Sequence, residues 1–588
     1  MKKIIEIVSN EVMQAFENAG YDGKLGVVTW SNRPDLCEFQ CNGSMAGAKQ
    51  YKKAPIVIAN EVVSFIGDSE VIDEVSVVPP GFININIGKK YLVDYISEMV
   101  VSPKFGQEEG CTEKIVVDYG GPNVAKPLHV GHLRSAIIGE SIKRIARYIG
   151  YNVVGDIHLG DWGLQIGQII AELEERNPKL PYFDESFTGD YPVEAPFTIS
   201  ELEEIYPCAS GKSKVDVEFK AKAMEATVRV QNADRGYYAL WNHIINVSKA
   251  DLRKNYDKLD VHFDLWNGES SVQPLIPDMV KYLKDNDYAH ISDGALVVDV
   301  VRKDDNKEIP PCMILKSDGA SLYNTTDLAT MIDRMNTIKP NQMIYVVDKR
   351  QDLYFEQVFR CAKKTKLVNE DTKLDFLGFG TMNGKDGKPF KTRDGGVMRL
   401  EYLLDDIKEQ MYKKIKENKA DISEDEANEI AGIVSLAAVK YGDLSNQASK
   451  DYIFDIDKFI SFEGDTGPYI LYTIVRIKSI LRKYSDLGCN VENDNFMEPL
   501  SVTEKSLMLE ITKCNAVIAS AFDELAPHKL CSYIYDLANA SNKFYHETKI
   551  ISEEDVKRRG SYCKLLMLTK SVLEVCIDLL GFSAPEKM

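Results

Sequence analysis

The period of the apolar positions changes twice along the chain. The first stretch opens with an amphipathic helical pattern running through Phe16 and contains the alternating run Gly81-Phe82-Ile83-Asn84-Ile85-Asn86-Ile87, which predicts a strand. Residues 1–105 therefore read as a small α+β domain. From Lys114 the pattern becomes a short apolar strand, Ile115-Val116-Val117, followed by Gly120, Gly121 and Pro122. Ile138, Ile142, Ile145 and Ile149 then mark one helical face, and Asn152-Val153-Val154 a second strand. This β-loop-α-β unit is half of a nucleotide-binding, Rossmann-like α/β fold. Residues 190–262 are charged and helical in character, and they separate the unit from the strand-like Gln342-Met343-Ile344-Tyr345-Val346-Val347. A helical insertion inside an α/β domain spanning 106–400 is expected. Beyond it the strand signal fades, and a capping box at Ser423 and Glu426 opens a helix with Ile430, Val434, Ala437 and Tyr441 on one face. Residues 401–588 read as all-helical.

Composition narrows the class. The 588 residues are 44% hydrophobic and 27% charged, an ordinary globular balance for a chain long enough to hold several cores. The opening MKKIIEIVSNEV starts like a signal peptide, but Glu6 and Asn10 interrupt it before an apolar core forms. No other window approaches an uncharged apolar span of about 18 residues, so a soluble protein without membrane contact is expected. Eleven cysteines are scattered without a CxxC pair; Cys37 and Cys41 lie close but lack a second pair. They read as reduced, mostly buried thiols of a cytoplasmic protein without structural zinc. A net charge of −19 opposes nucleic-acid binding through bulk charge. Basic groups are nonetheless concentrated at Lys385, Lys388, Lys391 and Arg393, at Lys478, Arg482 and Lys483, and at Lys557, Arg558 and Arg559. Short basic clusters are commonly solvated helix faces.

The densest chemistry lies in Asn123-Val124-Ala125-Lys126-Pro127-Leu128-His129-Val130-Gly131-His132, between a strand and a helix start. Unpaired N–H groups and the positive end of the macrodipole suit that position to phosphates. Two imidazoles there can bond phosphate oxygens, Gly131 permits close approach of a nucleotide, and Lys126 adds a full charge. His-x-x-His taken alone is common and also serves as half of a metal site. Three of the eight histidines, His129, His132 and His158, fall in this one unit, the last beside Gly160-Asp161-Trp162-Gly163-Leu164-Gln165.

HVGH resembles the HIGH signature of class I aminoacyl-tRNA synthetases, and PNVAKPLHVGHLRSAIIG with LGDWGLQIG resembles the arginyl-tRNA synthetase family in particular. The segment Gly384 to Arg393 resembles a degenerate KMSKS loop, in which Lys388 and Lys391 would clamp phosphates; in the family Lys126 contributes where that loop is altered. A guanidinium calls for fixed carboxylates. Tyr323 and Asp327, four apart and on one face if helical, match the family's substrate-side-chain contacts, with Thr326 replacing an arginine often found before that aspartate. The resemblance also assigns Glu269 to the α-amino group or guanidinium, Gln351 to the pocket lining and Asn123 to the α-amino or carboxylate end.

Ser461-Phe462-Glu463-Gly464-Asp465-Thr466-Gly467-Pro468-Tyr469-Ile470 resembles the family's anticodon-binding helical domain, with Tyr469, Tyr472, Tyr545 and Arg559 as stacking platforms for unstacked bases. Phe82 and Asn84 would lie in a domain touching the tRNA elbow. The resemblance implies ATP with Mg²⁺, L-arginine and tRNA(Arg) as reactants, an arginyl-adenylate intermediate whose formation needs bound tRNA, and a monomer. Two rivals stand beside it: a class I relative activating another acid, disfavoured by GDWG with Asp327 and Glu269, and a non-catalytic paralogue, disfavoured by both histidines and the lysine loop.

Overall fold

The structure, a computed structural model, describes residues 1–67, 69–107, 112–388, 399–418 and 422–588. It divides into two compact units, one of Met1–Glu109, Phe462–Asp578 and Ser583–Met588, the other of Gly110–Ser461 and Leu579–Phe582.

In the first unit the helix Ile4–Asn18 buries Ile4, Val8, Val12, Ala15 and Phe16, one face at the helical period. Strands β1 (Val28–Trp30), β2 (Phe39–Cys41), β3 (Ile72–Val78) and β4 (Phe82–Ile87) form an antiparallel sheet in the order β1-β2-β4-β3. The alternating run is β4, whose Ile83, Ile85 and Ile87 are fully buried. Its other face is not simply wet: Asn84 is buried too, and accepts a 3.0 Å hydrogen bond from Gln40 Nε2. The unit is completed by helices Gly467–Asp486, Val502–Thr512, Cys514–Asp523, Pro527–Glu547 and Val556–Leu579. Lys505 ties them to the sheet, 2.6 Å from Glu38 and donating to the Ile87 carbonyl at 2.9 Å.

The second unit holds β5 (Lys114–Tyr119), β6 (Asn152–Asp156), an antiparallel trio β7 (His290–Ser292), β8 (Ala295–Val298) and β9 (Cys312–Leu315), then β10 (Gln342–Asp348) and β11 (Lys373–Phe379). The trio was not foreseen from the sequence pattern. β11, β10, β5 and β6 lie side by side, all parallel. Ile115, Val116 and Val117 are fully buried, as expected for a strand covered on both faces. The helix Val130–Ile149 carries the chain from β5 to β6 on one side, while β10 joins β5 on the other. That reversal makes a switch point, and ligands of open α/β sheets lie beyond the strands' carboxyl ends there.

Helices Ile199–Val215, Val217–Gln231 and Arg235–Lys258 occupy the charged stretch read as an insertion. Each is capped by an oxygen side chain, from Thr198, Asp216 and Asp234. Further on, Ser423 caps Glu424–Leu444 through the Glu426 N–H. The architecture is thus a Rossmann-like α/β domain with a helical insertion, a small α+β domain at the start and helices at the end. Among the described residues no disulfide joins the cysteines, and no helix is long and apolar enough to cross a membrane.

Candidate active site

Three segments leave the sheet region side by side. The Val124 N–H donates to Gly160 O (3.1 Å) and the Gly160 N–H to Pro122 O (3.2 Å). On the other side the Leu159 N–H donates to Asn267 O (2.8 Å) and the Glu269 N–H to Leu159 O (3.0 Å). A side chain at either crossing would push a neighbouring polar side chain out of place. A Cβ on Gly160 would lie 2.0 Å from Asn123 Oδ1, and one on Gly268 2.4 Å from the Asp161 carboxylate. The close approach brings Asn123, Asp161 and Glu269 together although 146 positions separate the first from the last. Asp161 is held by Ser270, whose N–H (2.8 Å) and Oγ (2.6 Å) both donate to it.

His129 is the N-cap of the helix Val130–Ile149. Its Nδ1 accepts from the Gly131 N–H at 3.0 Å, and the His129 N–H donates to His132 Nδ1 at 3.1 Å. This is a capping box built from two imidazoles. Because both Nδ1 atoms accept, each neutral ring carries its proton on Nε2, leaving two Nε2–H donors for a ligand. Burial, then the Lys126 charge, lowers the His129 pKa; burial, then His129 and Lys126, pushes His132 down to about 3. Both are therefore neutral donors at pH 7. Arg134, on the same helix and buried, fixes it to the helix Glu424–Leu444 through Asp443 (2.8 Å) and to the end of β11 through the Gly380 carbonyl (2.7 Å).

A second group of site residues is acidic. The helix Tyr323–Thr337 bears Tyr323, exposed at its first position, and Asp327 one turn on. Tyr354, from the helix Asp352–Lys364, donates its hydroxyl to Asp327 Oδ2. Burial raises the Asp327 pKa, partly offset by Tyr354 and His158. Burial, then Asp327 and Asp161, pushes Glu269 up to about 8. Among the described residues no lysine or arginine forms a direct ion pair with Glu269 or Asp327; the positive charge that reaches Asp327, from His158 and the buried Arg334, acts at longer range. Arg334, seven positions after Asp327 on the same helix, is fully buried between Asp118 (2.6 Å) and Asp156 (2.7 Å). Tyr354 and Arg334 were not singled out from the sequence. A signal for Arg334 existed in the two aspartates ending apolar strands, since a buried carboxylate needs a partner.

Gln351 is exposed at the end of the short turn Lys349–Gln351 that follows β10. Lys385 is engaged by Asp455 (3.0 Å) and Asp457 (2.9 Å), whereas Lys388 is exposed at the end of a turn closed by the bond from the Gly384 N–H to its own carbonyl (2.8 Å). Lys391 and Arg393 lie outside the described residues. In the first unit Tyr469 bonds Asn539 (2.7 Å) and Asn542 (2.9 Å). Tyr472 and Tyr545, both exposed, flank the Arg476 guanidinium, 4.8 and 5.2 Å from the ring centres. Arg476 was missed from the sequence, although it stands four positions after Tyr472 on one helix face. Arg559 does not join these contacts; its guanidinium bonds the Glu553 carbonyl at 3.1 Å.

A parallel sheet with paired imidazoles at a helix start beyond its carboxyl edge defines a class, and residues 96–456 match the family described as tRNA synthetases class I (R), catalytic domain. Residues 2–87 match the arginyl tRNA synthetase N terminal domain and 470–588 the DALR anticodon binding domain. The chain is 61% identical to the arginine–tRNA ligase of Agathobacter rectalis and 57% identical to that of Alkaliphilus oremlandii, in each case over all of both chains. The crystal structure of arginyl-tRNA synthetase from Plasmodium falciparum superposes with a TM-score of 0.83 at 26% identity, covering all of both chains. The chain belongs to the arginyl-tRNA synthetase family.

Proposed function

We propose that the acidic pocket receives the cationic groups of arginine while the paired imidazoles and nearby lysines hold the phosphates of ATP. The chain is an arginine–tRNA ligase: ATP, L-arginine and tRNA(Arg) give L-arginyl-tRNA(Arg), AMP and diphosphate through an arginyl-adenylate. The observation that carries the pocket assignment is the pair Glu269 and Asp327, two largely buried carboxyls without a direct ion-pair partner among the described residues. Such groups are costly to ionise alone and are satisfied by an incoming guanidinium or ammonium. Asp327, oriented by Tyr354, takes the guanidinium; Tyr323 and Gln351 line the pocket, Glu269 meets a cationic end of the substrate, and Asn123 holds its α-amino or carboxylate end.

In the first step an arginine carboxylate oxygen attacks the α-phosphorus of ATP, which arrives as its Mg²⁺ complex, and diphosphate leaves. No side-chain nucleophile is needed; the protein supplies position and charge. His129 and His132 donate their Nε2–H groups to phosphate oxygens, Gly131 lets the nucleotide approach, and Lys126, Lys388 and Lys391 offset charge on the leaving group. In the second step the terminal ribose hydroxyl of tRNA attacks the activated carbonyl, releasing AMP.

Residues 1–105 serve the tRNA elbow, with Phe82 on the strand and Asn84, buried against Gln40, holding that strand in place rather than meeting RNA; 106–400 form the catalytic domain, and 401–588 include the anticodon-binding part with Tyr469, Tyr472, Tyr545 and Arg559. The protein works as a cytoplasmic monomer, and tRNA meets local basic and aromatic groups rather than the acidic whole. Asp327→Ala tests the pocket: arginine charging should fall by at least a thousandfold while tRNA affinity, read by filter binding, stays within about twofold. Parallel loss of both would make Asp327 a fold residue.

A further inference from the structure

One face of an insertion helix touches two basic side chains on either side of the His129 segment, Lys126 and Arg399. Glu203 and Tyr206 of the helix Ile199–Val215 are three positions apart and so share a face. The Lys126 ammonium lies 4.4 Å from the centre of the Tyr206 ring. Glu203 pairs with Arg399, whose backbone bridges that of His129. Arg399 follows the lysine-bearing stretch in sequence, and the next N–H, of Leu400, donates to Leu128 O at 2.9 Å. The Glu203 side chain is only 8% exposed, so its charge is met chiefly by Arg399 and not by water. Pro207 has no N–H to bond the Glu203 carbonyl, so the helical ladder is interrupted in the turn that carries both side chains.

Neither residue hydrogen-bonds Glu269 or Asp327 among the described contacts; each touches a group beside the imidazole pair, and Tyr206 in addition lies close enough to Tyr323 to act on it electrostatically. An ammonium on a flexible four-carbon stem samples many positions unless something holds it, and an aromatic face does so without neutralising it. A carboxylate in that place would pair with Lys126 and cancel the charge that ATP requires. From this geometry we infer that Tyr206 and Glu203 are positioning residues for adenylate formation. Tyr206 holds Lys126 over its ring, charged and available to phosphate; Glu203 anchors, through Arg399, the chain on the far side of the lysine loop against the His129 segment. The inference rests on Lys126 being a phosphate ligand, as proposed above.

A double-mutant cycle in the full-length enzyme separates the two ideas. Arginine-dependent ATP–diphosphate exchange, with tRNA(Arg) present, is measured for Tyr206→Phe, Tyr206→Leu, Lys126→Met and the double variant Tyr206→Leu/Lys126→Met. Tyr206→Phe keeps the ring and should behave as wild type. Tyr206→Leu should raise the KM for ATP by about three- to tenfold, the size of a cation–π contact, and by more than it raises the KM for arginine. In the Lys126→Met background the same change should have no further effect. Tyr206→Met, also without an aromatic face, repeats the comparison should the leucine variant fold poorly. A Tyr206→Leu penalty that persists in full without Lys126, or an unchanged KM for ATP, overturns the inference alone. A fully active Lys126→Met enzyme overturns the reading of Lys126 and the inference with it. For the second contact, Glu203→Gln, Arg399→Gln and their double variant should show equal, non-additive rises in the KM for ATP; additive losses would remove Glu203 from the role.

Discussion

His132 Nδ1 accepts from the His129 N–H and His129 Nδ1 from the Gly131 N–H, so that one pair of rings both starts a helix and leaves two Nε2–H donors. Structure and chemistry can be separated here because asparagine is also a favoured N-cap but lacks the outward donor. His129→Asn should therefore change unfolding stability by less than about 1 kcal/mol while lowering the exchange rate by about 10²–10³-fold, the usual loss for one preorganised donor. Thermal unfolding and exchange kinetics on the same preparation test this. His129→Ala should lose rate and, in addition, stability.

Glu269, with a pKa of about 8 in the free protein, makes arginine binding depend on pH. Its raised pKa leaves it mostly protonated at pH 7, and a bound cation favours the ionised form. Arginine affinity should therefore rise as pH goes from about 6 to 8, by up to about tenfold per unit, and level off above. Calorimetry in buffers of different ionisation enthalpy should show nearly one proton released at pH 7 and almost none at about pH 9. Glu269→Gln should abolish both effects; a release that survives this change would place the titrating group elsewhere.

Arg334 is the counter-charge for Asp118 and Asp156 behind the pocket. Arg334→Met leaves two carboxylates without it and should cost about 3–5 kcal/mol of stability. Adding Asp156→Asn should recover part of that loss, measured by denaturant unfolding. A neutral Arg334→Met would mean that water already satisfies the aspartates.

What could be read from the sequence follows from how local the causes are. The switch in apolar period places β5, its helix and β6, and the same span contains the imidazoles, so the fold and the placing of both rings at a helix start were legible together. Ser423 with Glu426 marked a helix start because a cap is local chemistry. Other relationships are set by packing over long separations. Nothing in Tyr354 says that its hydroxyl meets Asp327, and Gly268 reads as an ordinary turn glycine until Asp161 is seen against it. The trio β7–β9 was missed because its strands are short, three or four residues each, with no clear alternation. Tyr206 and Glu203 escaped for a related reason: on a charged helix they resemble solvent-facing residues until the partner side chains are in place.

The selection of arginine by the Glu269–Asp327 pocket is tested most directly by ATP–diphosphate exchange with tRNA(Arg) present and arginine, lysine or citrulline as the amino acid. Citrulline keeps the shape of arginine without its charge, and lysine keeps a charge without the planar fork. Exchange should proceed with arginine and fall by about 10⁴-fold or more with either analogue, because a buried carboxylate would be left unmatched. Exchange with lysine or citrulline at rates near that with arginine, or none with arginine, would contradict the assignment.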